Sequence, residues 1–255
     1  LIRFLGSSIL AWLLIIKDIK KIHIKTVKKG VINGTFLFIA YALQTYAQTL
    51  TSVSNNAFLS ASGVVMVPYF CYLVFKKKPN TIQILSSCLC LIGIAILTSS
   101  KMSFQVGDIL ALGCAIFFAI HLVSLQYTCV LEDSRVINAV QLLTSAILSI
   151  PCTLFFSRTP TDISLMSIMS CLYIVVFATF LCFFLQKKAQ QAASASSCSV
   201  ILSTESLFAV IFSVILLNES IHIHLLVGGL LILLSVILVQ TSSLKIVINK
   251  VMKKE

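Results

Sequence analysis

The stretch ASASSCSVILSTESLFAVIFSVILL, Ala193 to Leu217, decides how this chain folds. It is apolar and long enough to cross a bilayer, which takes about 20 residues as a helix. Glu205 sits almost at its centre. A carboxylate at that depth costs on the order of 2.5–3.5 kcal/mol on insertion scales, so it must face protein or water rather than lipid. Cys198, Ser199, Ser203, Ser206 and Ser213 accompany it as a row of small or polar residues. Such a row suits close helix packing or the wall of a polar cavity. Asn218-Glu219-Ser220 then breaks the run before the next apolar stretch.

The rest of the chain repeats this pattern. Hydrophobic residues make up 58% and charged residues 11%, against about 45–50% and 25% for a soluble domain. Nine apolar runs follow one another: Ile2–Ile16, Val31–Leu50, Val53–Phe75, Ile82–Thr98, Gly107–Cys129, Ile137–Phe156, Leu165–Gln186, Ala193–Leu217 and Ile223–Leu244. Each is bounded by charge, Pro or a polar cluster. The net charge of +11 resides in the short gaps between runs, not on one folded face, which argues against nucleic acid as a partner. Nine cysteines fall almost entirely inside the runs, with no CxxC pair. They read as small packing residues, not as metal ligands or a disulfide framework.

Orientation follows from Lys and Arg. Alternate gaps hold sixteen of the nineteen cations, including Lys76–Lys78 and Lys187–Lys188, and the opposite gaps hold only Arg3, Lys101 and Arg158. That bias marks the basic side, and with it the C-terminus, as cytoplasmic. A repeat is also visible. Gln44 to Thr98 and Gln186 to Gln240 share a layout at an offset of 142 residues: a polar helix end, a small-polar helix start, a charged turn and a Leu/Ile-rich helix. An odd number of helices per copy turns the second copy upside down. The offset places the opening of the first copy upstream of Leu1. The expectation is an all-α polytopic membrane protein, with nine transmembrane helices here of a ten-helix, five-plus-five inverted repeat. Residues 1–106 form the first copy, lacking its first helix, and residues 107–255 form the second with its basic tail.

Several of these runs resemble EamA-type permeases of the drug/metabolite transporter superfamily. Ser54 to Pro68 (SNNAFLSASGVVMVP) looks like their fourth helix, and Gly107-Asp108 with Ala115 to Tyr127 like their sixth. Leu202 to Leu217 with Asn218-Glu219 resembles the ninth, and Arg3-Phe4 the opening of the second. Two turns depart from the pattern: Lys76-Lys77-Lys78-Pro79 and Asn218-Glu219 stand where the family has Gly-Glu. The resemblance implies a secondary, ATP-independent carrier of small metabolites in the plasma or inner membrane. It would export amino acids, related metabolites or drugs by alternating access. A membrane-embedded enzyme, or a non-transporting sensor or scaffold, is the alternative. An enzyme would need clustered carboxylates, His or Cys at a membrane face, which this chain lacks; no catalytic residue is assigned.

The candidate solute contacts are polar outliers in apolar runs. Glu205 either couples a proton or cation, its pKa raised by burial, or serves as hydrogen-bonding glue between helices. Tyr41, Gln44, Thr45 and Gln48 fall at i, i+3, i+4 and i+7, a stripe that shuns lipid; Tyr41 and Gln44 lie deepest. Asn55 and Asn56 open the next helix, as amide contacts to solute or as its N-cap. His121, Gln141 and Tyr173 complete the set, each a solute contact or a hydrogen bond to a neighbouring helix. His222 and His224, two residues apart, are poorly placed to chelate together. No metal and no organic cofactor is expected, although Glu205 leaves proton coupling open. The expected partners are the bilayer and a small-molecule solute. A homodimer is compatible with the sequence.

Overall fold

The structure is a computed structural model that describes residues 1–51, 53–76, 78–97, 105–129, 132–156, 164–217 and 223–252. Among these there is no strand. The helices are α1 Ile2–Ile15, α2 Ile24–Ala47, α3 Val53–Ala61, α4 Gly63–Phe75, α5 Thr81–Leu97, α6 Val106–Cys129 and α7 Ser134–Phe156. They continue as α8 Leu165–Val175, α9 Cys182–Ala192, α10 Ala195–Leu202, α11 Thr204–Leu217 and α12 Ile223–Met252. A 3₁₀ turn, Ile16–Lys21, follows α1, and a π-helical turn, Val176–Leu181, joins α8 to α9.

Among the described residues four stretches are long and apolar enough to cross a membrane: Asn56–Phe75, Val106–Thr128, Ser134–Phe155 and Leu165–Ala192. Ile2–Ile15, Thr81–Ile96 and Leu226–Val239 are shorter apolar helices. The surface is inverted relative to a soluble protein. Every residue of α8 from Leu165 to Ile174 is exposed, while Ser7, Asn33, Asn138, Gln141 and Ser145 are buried. Apolar outside and polar inside is the arrangement a bilayer selects. The chain is a multi-pass membrane protein.

Three apolar runs are not single straight helices. The third breaks at Ser62 and the eighth at Ser203. At both, hydroxyls turn back onto the backbone: Ser62 Oγ donates to the Leu59 carbonyl at 2.6 Å, and Ser203 Oγ to Ser199 at 2.9 Å. Such back-bonding competes with the helix ladder and bends it. The seventh run contains the π turn, whose irregular backbone is met by α1. Arg3 Nε donates to Thr179 Oγ1 at 2.6 Å, Arg3 also donates to the Ala178 carbonyl at 3.3 Å, and Ser7 Oγ donates to the Val175 carbonyl at 2.8 Å.

The repeat offset recurs in the elements: α2, α3, α4 and α5 begin at residues 24, 53, 63 and 81, and α8, α10, α11 and α12 at 165, 195, 204 and 223. Contacts nevertheless divide the chain differently. One compact unit is Leu1–Ile39 with Ser124–Ala192, the other Ala40–Val123 with Ala193–Glu255, so each takes residues from both sides of position 106. In the first unit α1 packs on α7 and α8. There α2 approaches α7 so closely that a Cβ on Gly34 would lie 2.6 Å from the Gln141 carbonyl oxygen. In the second unit α5 lies along α12, where a Cβ on Gly93 would come within 3.0 Å of the Gly228 carbonyl. Val64, Cys90, Ile94, Val200, Ile232 and Val239 form one core cluster there, and Val67, Ala119, Leu122, Val123 and Ala195 another.

Two loop expectations are corrected. Lys25, Lys28 and Lys29 belong to the first turns of α2 and not to a gap before Val31. Lys187 lies within α9 and is fully buried, so it is not a solvated loop cation. Its four-carbon stem lets it lie among apolar neighbours while the ammonium finds polar ones.

Candidate functional site

In the second unit, side chains from α2, α3 and α6 come together. Tyr41 is half-buried and its ring meets Phe118 edge-on, with centroids 5.1 Å apart. Three residues further along α2, the Gln44 carbonyl accepts a 3.2 Å hydrogen bond from Asn56 Nδ2. Asn56 Oδ1 in turn accepts from Ser60 Oγ at 3.3 Å. Asn56 therefore lies inside α3 as a link to α2, not at its N-cap. His121, one helical turn beyond Phe118 on α6, is 1% exposed. Thr45 and Gln48, from the same α2 stripe, are exposed, and the Thr45 hydroxyl is turned back onto the Tyr41 carbonyl.

Glu205 is exposed on the first turn of α11, just past the break at Ser203. The burial expected for it is not found. Tyr173 is also exposed, its ring tilted against Phe177 at 5.4 Å on the outer face of α8. The side chain of Asn55 lies outside the described residues, as do His222 and the Asn218-Glu219-Ser220 turn.

In the first unit Gln141 is fully buried. It belongs to a row on α7, Asn138, Gln141, Ser145 and Ser149, all buried at helical spacing. Ser145 Oγ donates to the Gly34 carbonyl at 2.9 Å. Facing this row, Lys187 Nζ donates to Asn138 Oδ1 at 2.9 Å. Asn33 Nδ2 donates to Thr128 Oγ1 at 2.9 Å. Sequence reading found Gln141 but missed Asn138, Lys187 and Asn33. The signal was present as Phe183, Lys187 and Gln190 at i, i+4 and i+7, the one buried face of α9.

The same unit carries an ionic cluster at its loop end. Glu132 takes a 2.7 Å ion pair from Lys29 and a short hydrogen bond from Thr26. These bonds hold its carboxyl below the usual range. Arg135 does the same for Asp133 through a 2.8 Å contact. A cleft of about 290 Å³ opens beside His23, Thr26, Glu132 and Arg135. Among the described residues no group of three His, Cys, Asp or Glu side chains stands together.

Comparison with known proteins agrees with this architecture. A protein from Archaeoglobus fulgidus, described as an uncharacterized transporter, is 32% identical over 212 residues, covering 83% of this chain and 68% of its own. Another uncharacterized transporter, from Clostridium kluyveri, is 23% identical across 96% of this chain and 83% of its own. A protein crystal structure superposes with a TM-score of 0.81 over 95% of this chain and 86% of its own, at 12% identity, and so shares the fold. The sequence profile of EamA-like transporters matches residues 1–99 and again 105–241. With nearly the whole length matched in two successive segments, the chain belongs to the EamA-like transporter family.

Proposed function

We propose that this transporter is a secondary carrier, not an enzyme, that exports a small polar metabolite without ATP. Two inverted five-helix repeats would expose a mid-membrane site alternately to each side. The observation that carries the reading is the inward placement of His121 and Asn56 within the second unit. Burying polar groups in a membrane protein is costly, and such groups mark solute pathways. Tyr41 and Gln44, half-buried beside Asn56, complete the contact set. The cytoplasmic C-terminus follows from the charge bias of the loops, and export across the plasma or inner membrane from the likeness to EamA-type permeases.

The test is reconstitution of the full chain in liposomes loaded with a metabolite extract, with efflux followed by mass spectrometry. The expected result is time-dependent loss of particular solutes without ATP. It should fall at least about tenfold in His121→Phe, a change of roughly 1.4 kcal/mol in the barrier. Efflux no faster than from empty vesicles refutes the carrier reading. Proton coupling through Glu205 is tested separately: transport by Glu205→Gln with an unchanged pH dependence removes it.

A further inference from the structure

The stretch Leu165–Ala192 is membrane-length but not one continuous α-helix: the π turn Val176–Leu181 separates α8 from α9. No Pro or Gly occurs between Leu165 and Ala192, so a helix-breaking residue is not the cause. The irregularity is met from α1 instead. Gly6 brings α1 so close that a Cβ there would lie 2.9 Å from Val175 Cγ1. Ser7 Oγ donates to the Val175 carbonyl at 2.8 Å, and Arg3 donates to Thr179 Oγ1 at 2.6 Å and to the Ala178 carbonyl at 3.3 Å. Single π turns inside helices are rare and concentrate at functional sites.

The two flanks of the turn are held by different helices of the first unit. α8 packs on α1, whereas α9 packs on α7, where Lys187 Nζ donates to Asn138 Oδ1 at 2.9 Å. A π turn carries one residue more than an α turn, so losing it would rotate α9 against α8 by about 100°. Phe183, Lys187 and Gln190 now form the buried face of α9. After that rotation the face is Cys182, Gln186 and Ala189, each one position earlier. Lys187 then takes the direction that Lys188 holds now, which is exposed. Gln186 takes the place of Lys187, and its amide N–H can donate to Asn138 Oδ1 in turn. Asn138 thus finds a donor in both settings, as an element with two discrete arrangements needs. We propose that the π turn is a hinge, latched by Arg3 on Thr179 and Ala178, that turns α9 between these settings as the carrier changes the side it opens to. This deepens the carrier reading and rests on it.

The test reads the rotation through lysine chemistry, apart from transport. The full chain in phosphatidylcholine nanodiscs is treated briefly with an amine-acylating ester, well below its unfolding temperature, and each lysine is followed by peptide mass spectrometry. In the wild-type chain Lys187 should react slowly and the exposed Lys188 fast. Thr179→Val removes an acceptor of the latch, and Lys187 acylation should then rise at least about tenfold. Lys188 should stay fast, because it turns into the direction of Ala189, which is also exposed. Adding Gln186→Leu to Thr179→Val takes away the substitute donor and should return Lys187 to near the wild-type rate. Gly93→Ala, whose Cβ would come within 3.0 Å of the Gly228 carbonyl, perturbs the second unit instead and should leave Lys187 slow.

The same Lys187 rate in the wild type and in Thr179→Val overturns the hinge. A rise of equal size in Gly93→Ala also overturns it, as general loosening, and so does a rise that Gln186→Leu leaves intact. Latch-dependent exposure of Lys187 in a chain that moves no solute in liposomes would keep the hinge and sink the carrier reading. Transport by a chain whose Lys187 does not respond to Thr179→Val would do the reverse.

Discussion

Gly34→Ala tests whether α2 and α7 meet backbone to backbone. An added Cβ would lie 2.6 Å from the Gln141 carbonyl oxygen and 2.7 Å from Thr144 Cβ, where ordinary contact begins at 3.4 Å. The helices must part by about 0.8 Å, a gap that forfeits a quarter to a half of each dispersion contact across it. The same movement stretches the 2.9 Å bond from Ser145 Oγ to the Gly34 carbonyl to about 3.7 Å, past the range of a hydrogen bond. Overpacking costs about 1–3 kcal/mol and the lost bond about 1 kcal/mol. Alanine's better helix propensity returns up to about 1 kcal/mol. The net loss is about 1–3 kcal/mol.

Gly113→Ala is the matched control, because its Cβ would meet only Leu43 Cδ1, at 3.4 Å. It should keep the propensity gain and leave stability unchanged or slightly raised. The assay is thermal unfolding of the full chain in mild detergent. It is followed by the reaction of a thiol dye with the buried Cys90, Cys114 and Cys198. If Gly34→Ala unfolds at or above the wild-type temperature, or both alanines shift it equally, the close approach of α2 and α7 is refuted.

Thr179→Val should cost about 1.5–3 kcal/mol, the range for a hydrogen bond to a charged group, since Arg3 Nε loses its acceptor. In a double-mutant cycle with Arg3→Met by thermal unfolding, additivity within about 0.5 kcal/mol would show that the two do not interact. Lys76 is the only non-glycine residue with positive φ among those described, at 54° in the C-cap of α4. Lys76→Gly should therefore raise the unfolding temperature by relieving about 1 kcal/mol of left-handed strain, and a fall would refute that reading. Glu132 has its carboxyl pKa lowered from 4.5 by Lys29 and Thr26. Its stabilising contribution is present above that value and lost as the pH falls through the lower folded pKa. A plot of unfolding temperature against pH should thus be flatter on its acid side in Glu132→Gln, and an identical slope would dismiss the pair.

Much of the fold was legible because apolar runs in a membrane protein are set by local composition. The nine runs, their polar boundaries and the 142-residue offset need no knowledge of neighbours, and the helices begin in that order at nearly that spacing. His121, Asn56 and Gln141 stood out as polar residues in apolar surroundings, and all three are buried. Glu205 and Tyr173 stood out for the same reason and are exposed. Composition says that a residue is unusual at its depth; it cannot say which way the helix is turned.

Rotation and pairing belonged to the tertiary structure alone. The break at Ser203 arises from hydroxyls whose choice between backbone and solvent depends on what packs nearby. The π turn at Val176–Leu181 is held from some 170 residues away in sequence, by Arg3 on the Thr179 hydroxyl and Ala178 carbonyl and by Ser7 on the Val175 carbonyl just before it. Lys187 looked like a loop cation because charge next to a run's end normally seeks water. Its burial is met from another segment, by α7, which presents Asn138 Oδ1 to it. Sequence alone determined that the chain enters the bilayer and in what order its helices come. Long-range partners determined which polar groups the interior keeps, because a buried charge or amide is stable only where another segment satisfies it.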